Sequence, residues 1–259
     1  MEVHAHTHTA RKKWTHYFWE FLMLFLAVFC GFLAEYQLEH KIERDREKKY
    51  IESMVDDLRR DTANFKFVVA TGRQTLFAID TLISLLGSAK RESHTSAMYY
   101  YARKVTFTAY PFEIFDRTYS QMKSSGNLRL LRTRSIVDSI TSYYYDINFL
   151  SSQQAFVNNL VLEYIKNVSI VFDPSVFHKM YKDAGLTVNF AIQPRNVLMP
   201  DAPKDNPPLA DDSRHAIDSL VGTMHYLFGR ILSIMGIIKF ENEKALRLMQ
   251  LLEKKYHLK

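Results

Sequence analysis

An uncharged apolar run at residues 21–34, FLMLFLAVFCGFLA, limits how this chain can fold more than any other feature. The run is shorter than the roughly twenty residues that a helix needs to cross a bilayer. Aromatic residues extend it, with Trp14 and Trp19 before the run and Tyr36 after it. Such residues are typical of the headgroup regions at the two ends of a membrane span. The sequence therefore predicts a transmembrane helix over residues 14–36.

A cleaved signal peptide is the main alternative to a permanent anchor. Cleavage requires small residues at the first and third positions before the cut. A cut after Ala34 would place Phe32 at the third position, and a cut after Gly31 would place Phe29 there. Phenylalanine is too large for that position, so we expect the segment to stay attached as an uncleaved anchor.

Two residues of the predicted span carry chemistry of their own. Glu20 precedes the apolar run, near the first turns of the helix, where a carboxylate is tolerated at the membrane interface. The alternative for Glu20 is a proton or partner site inside the membrane. Cys30 is the single cysteine of the chain, so no intrachain disulfide can form. We expect Cys30 to be a small residue facing lipid, the alternative being a link between two anchors.

The residues before the span form a short polar tail. Arg11, Lys12 and Lys13 favour a cytoplasmic location for this tail, although the other flank of the span is also basic. We therefore predict a flexible cytoplasmic tail over residues 1–13 and a bacterial inner-membrane protein whose bulk is periplasmic. The alternating histidines of the tail could chelate a metal, but no cysteine or carboxylate cluster completes a site there, so we predict no metal site.

The rest of the chain, residues 37–259, has the composition of a helical domain. Glycine (8) and proline (7) are scarce, which favours long helices. We expect the span to continue as one long helix through a densely charged, exposed stalk at residues 35–61 and on to Gly87. Further helices are predicted at about 94–106, 112–124, 133–171 and 175–183. A proline-rich irregular loop is predicted at 185–212. This loop is the first candidate for a partner-contacting surface, the alternative being a disordered connector.

The last helix carries a heptad pattern, which indicates coiled-coil packing. Asp211, Asp212 and Ser213 are suitable residues for capping its start. Apolar residues then recur every seven positions and again three positions later, interrupted by Glu241 and Lys255; they are Ile217, Leu220, Met224, Leu227, Ile231, Ile234, Ile238, Ala245, Leu248 and Leu252. This seam could pack within the bundle or against a second copy. Charged residues interrupt the helix at intervals, so we do not expect it to be a second span. The predicted fold is thus all-α, with a single transmembrane helix and an antiparallel helical bundle.

Motifs that would mark an enzyme are missing from the sequence. It has no glycine-rich phosphate loop, no His-Glu-x-x-His pair and no nucleophile elbow. The histidines are scattered without metal-ligand spacing, and the net charge of +6 comes from interleaved acidic and basic residues. We therefore predict no catalytic activity, no cofactor, no metal and no nucleic-acid partner.

One short segment contains a distinctive sequence pattern, although its residue types indicate no particular chemistry. Residues 118–131 read TYSQMKSSGNLRLL. This resembles the recurring Tyr-x-x-Leu-Lys-Ser-Ser-Gly-x-Leu block of an uncharacterised family of bacterial single-span membrane proteins. Members of that family similarly begin with a short basic tail, a hydrophobic helix entered through a glutamate and a charged helix. The resemblance covers about residues 14–150 and implies a single span with a helical domain outside the cytoplasm.

This sequence departs from the family's pattern at two places. Met122 stands where the family usually has leucine, and the span ends in Glu35 and Tyr36 where the family usually has an Asn-Trp pair. We expect the segment to be a helix end locked against its neighbours, the alternative being a small polar recognition site. Its candidate residues, called the recognition block below, are Tyr119, Met122, Lys123, Ser124, Ser125, Gly126 and Leu128.

Two functions fit these observations. The first is a membrane-anchored interaction or scaffold protein of the cell envelope, whose partners are the lipid bilayer and either a second copy of the chain or an unidentified envelope protein. The second is a ligand-sensing helical bundle that signals through a partner protein.

Overall fold

The computed structural model describes residues 14–108, 113–185 and 199–258, and these residues form helices without a single strand. The α-helices among them are α1 (Trp14–Leu86), α2 (Thr95–Thr108), α3 (Arg117–Ser124), α4 (Arg134–Val171), α5 (Pro174–Asp183) and α6 (Arg214–Tyr256). Two 3-10 helices cover Arg91–His94 and Asn127–Leu130. The all-α prediction is therefore confirmed for the described part of the chain. The predicted tail at 1–13 lies outside it.

Local signals in the sequence set the helix boundaries. Asp173 caps α5, because its Oδ1 accepts a hydrogen bond from the backbone N–H of Ser175 at 2.8 Å, and Pro174 occupies the first helical position. Ser213 caps α6 in the same way, with its hydroxyl oxygen 3.3 Å from the backbone nitrogen of Ala216. Both caps coincide with helix starts that the sequence predicts.

The helices predicted at 94–106, 133–171 and 175–183 match α2, α4 and α5 within two residues at each end. The third helix, predicted at 112–124, begins later than expected within the described residues. Residues 113–116 are irregular, and α3 starts only at Arg117. The physical reason is that Phe115 donates its backbone N–H to a carboxylate of α1 instead of joining a helix.

The chain divides into two compact units, residues 1–51 and 52–259. In the first unit, the described residues belong to α1. Nearly all side chains from Trp14 to Leu38 are exposed, including Leu24 at 68% and Phe25 at 52%. The most apolar window of α1 is long and apolar enough to cross a membrane, and none of that window is buried. α6 passes the same length and composition test, with 28% of its window buried.

In the second unit, α4 packs along α6. Asn167 of α4 donates to the hydroxyl of Thr223 on α6 at 2.7 Å. Further along, the ammonium group of Lys244 pairs with Asp146 and donates to the hydroxyl of Ser142 at 2.9 Å. Polar contacts therefore flank an apolar interface between the two longest helices of this unit.

The apolar residues of the predicted heptad seam are all buried inside the chain, at 9% exposure or less. Burial within one chain means that the seam does not need a second copy to cover it. Glu241, expected to interrupt the seam, is also buried, at 3% exposure. A carboxylate at that depth loses its hydration, so burial raises the pKa of Glu241.

The charged stretch at 35–61 is not exposed throughout, contrary to expectation. Asp57 and Asp61 are buried, at 1% and 0% exposure, although the neighbouring Asp56 remains exposed. The apolar stripe of α1 includes Leu58 and Phe65, on either side of Asp61, so this acid lies on the buried face of the helix.

Residues 199–212, the described part of the loop predicted at 185–212, are irregular but firmly attached. The backbone N–H of Ser96 on α2 donates to Asn206 at 3.2 Å, and the hydroxyl of Tyr99 donates to the carbonyl of Pro208 at 2.9 Å. The backbone N–H of Ala210 donates to the last residue of α4 at 2.9 Å. This part of the loop is therefore not a free connector. Residues 186–198 lie outside the described residues.

Candidate functional site

The recognition block lies on α3 and the turn that follows it. Tyr119 and Met122 point inward and are 8% and 0% exposed. The residues from Lys123 to Gly126 are exposed at the helix end, and Leu128 is half-buried in the 3-10 helix. Gly126 adopts a left-handed backbone with φ of 70°, which ends the helix without a side-chain clash. The structure thus places the block at a helix end whose inner face is packed.

Asp57 of α1 holds the first turn of α3. One oxygen of its carboxylate, Oδ2, accepts hydrogen bonds from the backbone N–H of Thr118 at 2.9 Å and from the Thr118 hydroxyl at 2.5 Å. The guanidinium of Arg117 lies 4.0 Å from the other oxygen but is mostly exposed. A carboxylate at a helix start satisfies backbone N–H groups that have no partner within the helix. The acid comes here from a different helix, so the cap also fastens α3 to α1.

Asp61, one turn further along α1, holds the segment that precedes α3. Its Oδ1 accepts the backbone N–H of Phe115 at 2.8 Å, and its Oδ2 accepts the hydroxyl of Tyr143 from α4 at 2.7 Å. Burial raises the pKa of Asp61 to about 6, more than the two hydrogen bonds lower it. Asp61 therefore joins two other parts of the domain and titrates nearer to neutral pH than an ordinary aspartate.

Three tyrosines cover the two acids. The rings of Tyr119 and Tyr144 are stacked with centroids 4.3 Å apart, and Tyr143 meets Tyr144 edge-on at 5.1 Å. Burial raises the pKa values of Tyr143 and Tyr144, so both remain protonated, and Tyr143 donates to Asp61. The hydroxyl of Tyr144 is buried and makes no hydrogen bond to the described residues.

This cluster has the chemistry of a structural clamp. Asp57 and Asp61 accept hydrogen bonds from α3, its leading segment and α4, and no group of three or more metal-ligating side chains occurs among the residues that the structure describes. The hydrogen bonds of the described residues include no pair of a nucleophile and a general base at this cluster. The arrangement instead fixes the recognition block to the long helices of the domain.

A cavity of about 300 Å³ lies elsewhere in the same unit, between α1, α4 and α6. Its walls are mainly apolar, among them Val157, Ile231 and Met235, with Thr75 and Gln154 as polar members. This volume is at the lower end of the range for small-molecule pockets. The cavity could not be found from the sequence, because it depends on which helix faces meet.

Glu20 and Cys30 lie on the exposed surface of the first unit. Glu20 pairs with His16 at 3.0 Å, one turn earlier on α1. Cys30 is a free, exposed thiol. The interfacial role predicted for Glu20 and the lipid-facing role predicted for Cys30 remain predictions.

Comparison with known proteins adds no relative: no family model, curated protein or solved structure matches the chain.

Sequence reasoning missed Asp57 and Asp61, which it assigned to an exposed stalk. A signal was present for one of them. Asp61 is three residues after Leu58 and four before Phe65, which is the spacing of the buried stripe. Asp57 has no comparable signal, because its burial depends on where α3 packs.

Proposed function

We propose that this chain is a membrane-anchored helical interaction protein of the bacterial cell envelope. In this proposal, residues 14–36 form a single inner-membrane span, and residues 37–259 form an antiparallel helical bundle in the periplasm. The family resemblance of the recognition block supports the same topology. No catalytic activity is part of the proposal.

The observation that carries the anchor is the wholly unburied apolar window of α1. Large side chains such as Leu24, Phe25 and Val28 are 68%, 52% and 69% exposed. Transferring one such side chain out of water stabilises the protein by about 1.5–3 kcal/mol, so a run of them strongly favours lipid. α6 differs because its seam is covered by the chain itself, which supports a single span.

Antiparallel packing of α4 and α6 is supported by the order of their contacts. Asp146 pairs with Lys244, whereas Asn167 bonds Thr223. Residue numbers thus rise along one helix as they fall along the other.

The anchor is tested by placing charge in the apolar window. Phe25→Arg together with Phe29→Arg should prevent stable insertion, because each arginine at the centre of a span costs about 2.5–3.5 kcal/mol. The matched control is Leu38→Arg with Ile42→Arg, which changes two exposed apolar residues of the same helix beyond the proposed span. The measurement is the fraction of protein that stays with membranes after an alkaline wash. Release of the wild-type chain, or retention of the Phe25/Phe29 variant, would refute the anchor.

The interaction role is tested separately. Apolar side chains remain exposed on the second unit, including Phe67, Phe149 and Phe240, and are available for contact with a second copy or an envelope partner. Proximity labelling in the native cell, with the label at the C-terminus, reports both the compartment and the neighbours. Strictly monomeric purified protein with no reproducible neighbour would contradict this role, and labelling of cytoplasmic proteins would contradict the topology.

The cavity favours ligand sensing as a second candidate function. It lies among three helices, including α1, whose N-terminal part is the proposed span. A ligand there would contact side chains of all three helices. In this candidate function, the bundle signals through a partner protein.

A further inference from the structure

The cavity between α1, α4 and α6 arises from residues that break the apolar pattern of the helices. Phe65, Gly72 and Ile79 stand seven residues apart on α1, and the middle position has no side chain. On α4, Gln154 stands four residues after the buried Leu150, where the spacing calls for an apolar residue. One layer of the packing therefore has no side chain on α1 and a polar amide on α4, and a volume of about 300 Å³ lies beside them.

The methionine of α6 that borders this layer depends on the glycine. A Cβ atom added at Gly72 would lie 2.7 Å from Sδ of Met235, which is closer than real Cβ contacts allow. Gly72 therefore both removes bulk from α1 and makes room for a flexible thioether side chain. Methionine adapts easily to the shape of a bound molecule.

The lining offers no counter-charge to an ionic ligand. None of its twelve residues carries a formal charge, and burying an ion without a partner is costly. The hydroxyls of Thr71 and Thr75 donate back to carbonyls of α1, each at 3.1 Å. The hydroxyl hydrogens of these two threonines are therefore not available to a ligand.

The amide groups of α4 provide one polar contact point. Nε2 of Gln154 donates to Oδ1 of Asn158 at 3.1 Å. The other half of each amide, Oε1 of Gln154 and Nδ2 of Asn158, has no partner in the hydrogen bonds of the described residues. One acceptor and one donor are thus left on two lining residues, and a carboxamide carries the complementary donor and acceptor.

We propose that this cavity binds a neutral, mainly apolar small molecule that carries one carboxamide group. The apolar body lies against the valine, isoleucine and methionine side chains, and the carboxamide pairs with Gln154 and Asn158. The proposal deepens ligand sensing, the second candidate function, and names its ligand class.

The test uses three probes of one shape and different charge. They are 4-(trifluoromethyl)benzamide, 4-(trifluoromethyl)benzoate and 4-(trifluoromethyl)benzylammonium, titrated against the full chain in lipid nanodiscs and followed by fluorine NMR. The benzamide is expected to bind saturably, and the two ions at least about tenfold more weakly, because the lining offers them no counter-charge. Equal binding of a charged probe, or no saturable binding of the benzamide, overturns the proposal.

Variants locate the binding. Leu162→Trp enlarges a side chain of the lining that is 59% exposed, and the matched control Ile165→Trp enlarges one on the same helix that does not line the cavity. Leu162→Trp should weaken benzamide binding about tenfold or more, and Ile165→Trp should leave it unchanged. Equal effects of the two would place the binding elsewhere and overturn the proposal.

A second variant does not depend on filling the cavity. Gln154→Leu keeps the size of the side chain and removes its amide, and should weaken benzamide binding about three- to tenfold, as expected for one lost hydrogen bond. Unchanged binding would refute the carboxamide assignment. None of these measurements uses a signalling readout, so binding without any change in partner labelling would refute sensing and leave the ligand class standing.

Discussion

Asp57→Ala is the substitution whose effect the structure defines most sharply. The side chain of Asp57 is 2% exposed, and its Oδ2 accepts both the backbone N–H and the hydroxyl of Thr118. Alanine leaves these two donors at the start of α3 without their acceptor. Thr118 is itself 3% exposed, so water does not replace the carboxylate without a rearrangement.

The magnitude follows from these two bonds. A hydrogen bond to a charged acceptor contributes about 1.5–3 kcal/mol, and a buried donor left unpaired costs about 1–3 kcal/mol. Removing the acid also relieves the cost of burying a carboxylate, which offsets part of the loss. We therefore expect the free energy of unfolding to fall by about 2–4 kcal/mol. For a domain of this size, that corresponds to a fall in melting temperature of about 4–16 °C.

The neighbouring acid provides a matched control. Asp56 is 66% exposed and pairs with Arg59 at 2.9 Å on the surface of α1. Asp56→Ala removes the same charge from the same helix and should cost only about 0–1 kcal/mol. Both variants of the full chain are compared by thermal unfolding in one detergent, followed by far-ultraviolet circular dichroism. Equal losses from the two substitutions would show that Asp57 does not clamp α3, and so would an Asp57→Ala shift within the error of the wild type.

Three further predictions follow from buried or strained positions. Burial raises the pKa of Asp61 from 3.8 to about 6, so the proton stabilises the folded state below about pH 4 and this contribution is lost as the pH rises through 6. The difference in unfolding free energy between the wild type and Asp61→Asn should therefore change by about 2–3 kcal/mol between pH 4 and pH 6, and a constant difference would contradict the shift. Glu241 is buried, and its Oε2 makes no hydrogen bond to the described residues. Glu241→Leu should therefore raise the free energy of unfolding by about 1–3 kcal/mol in urea titrations. A lower free energy of unfolding would mean that the carboxylate has a stabilising partner. Gly126→Ala should lower the free energy of unfolding by about 1–2 kcal/mol in the same titrations, because residue 126 has a left-handed backbone. Gly222→Ala is the control: its Cβ meets open space inside α6, so it should raise stability by roughly 0.5–1 kcal/mol. Equal effects of the two substitutions would argue against backbone strain at residue 126.

Helix positions were predictable because their signals are local. The Asp173–Pro174 pair, the cap at Ser213 and the stop at Gly126 act through hydrogen bonds or backbone angles within a few residues. The start of α3 was placed too early because its cause is not local. The backbone N–H of Phe115 bonds to Asp61, which is distant in sequence.

The recognition block was partly predictable. The inward direction of Tyr119 and Met122 follows from their spacing on a helix, and both side chains are buried. The partners that hold the block could not be found in this way. Charge density in the first part of α1 indicated an exposed helix, because a charged residue in an isolated helix lowers its energy by facing water.

The sequence by itself determined the helices, their caps, the buried face of α6 and the apolar window of α1, because each of these depends on the periodicity and chemistry of neighbouring residues. Only the tertiary structure decided that Asp57 and Asp61 face inward, that Glu241 is buried and that a cavity opens beside Gly72. Those outcomes depend on which surfaces of distant helices meet. Asp57 and Asp61 are buried where other parts of the chain supply hydrogen-bond donors, and the walls of the cavity depend on how side chains of separate helices meet, as Met235 does with Gly72.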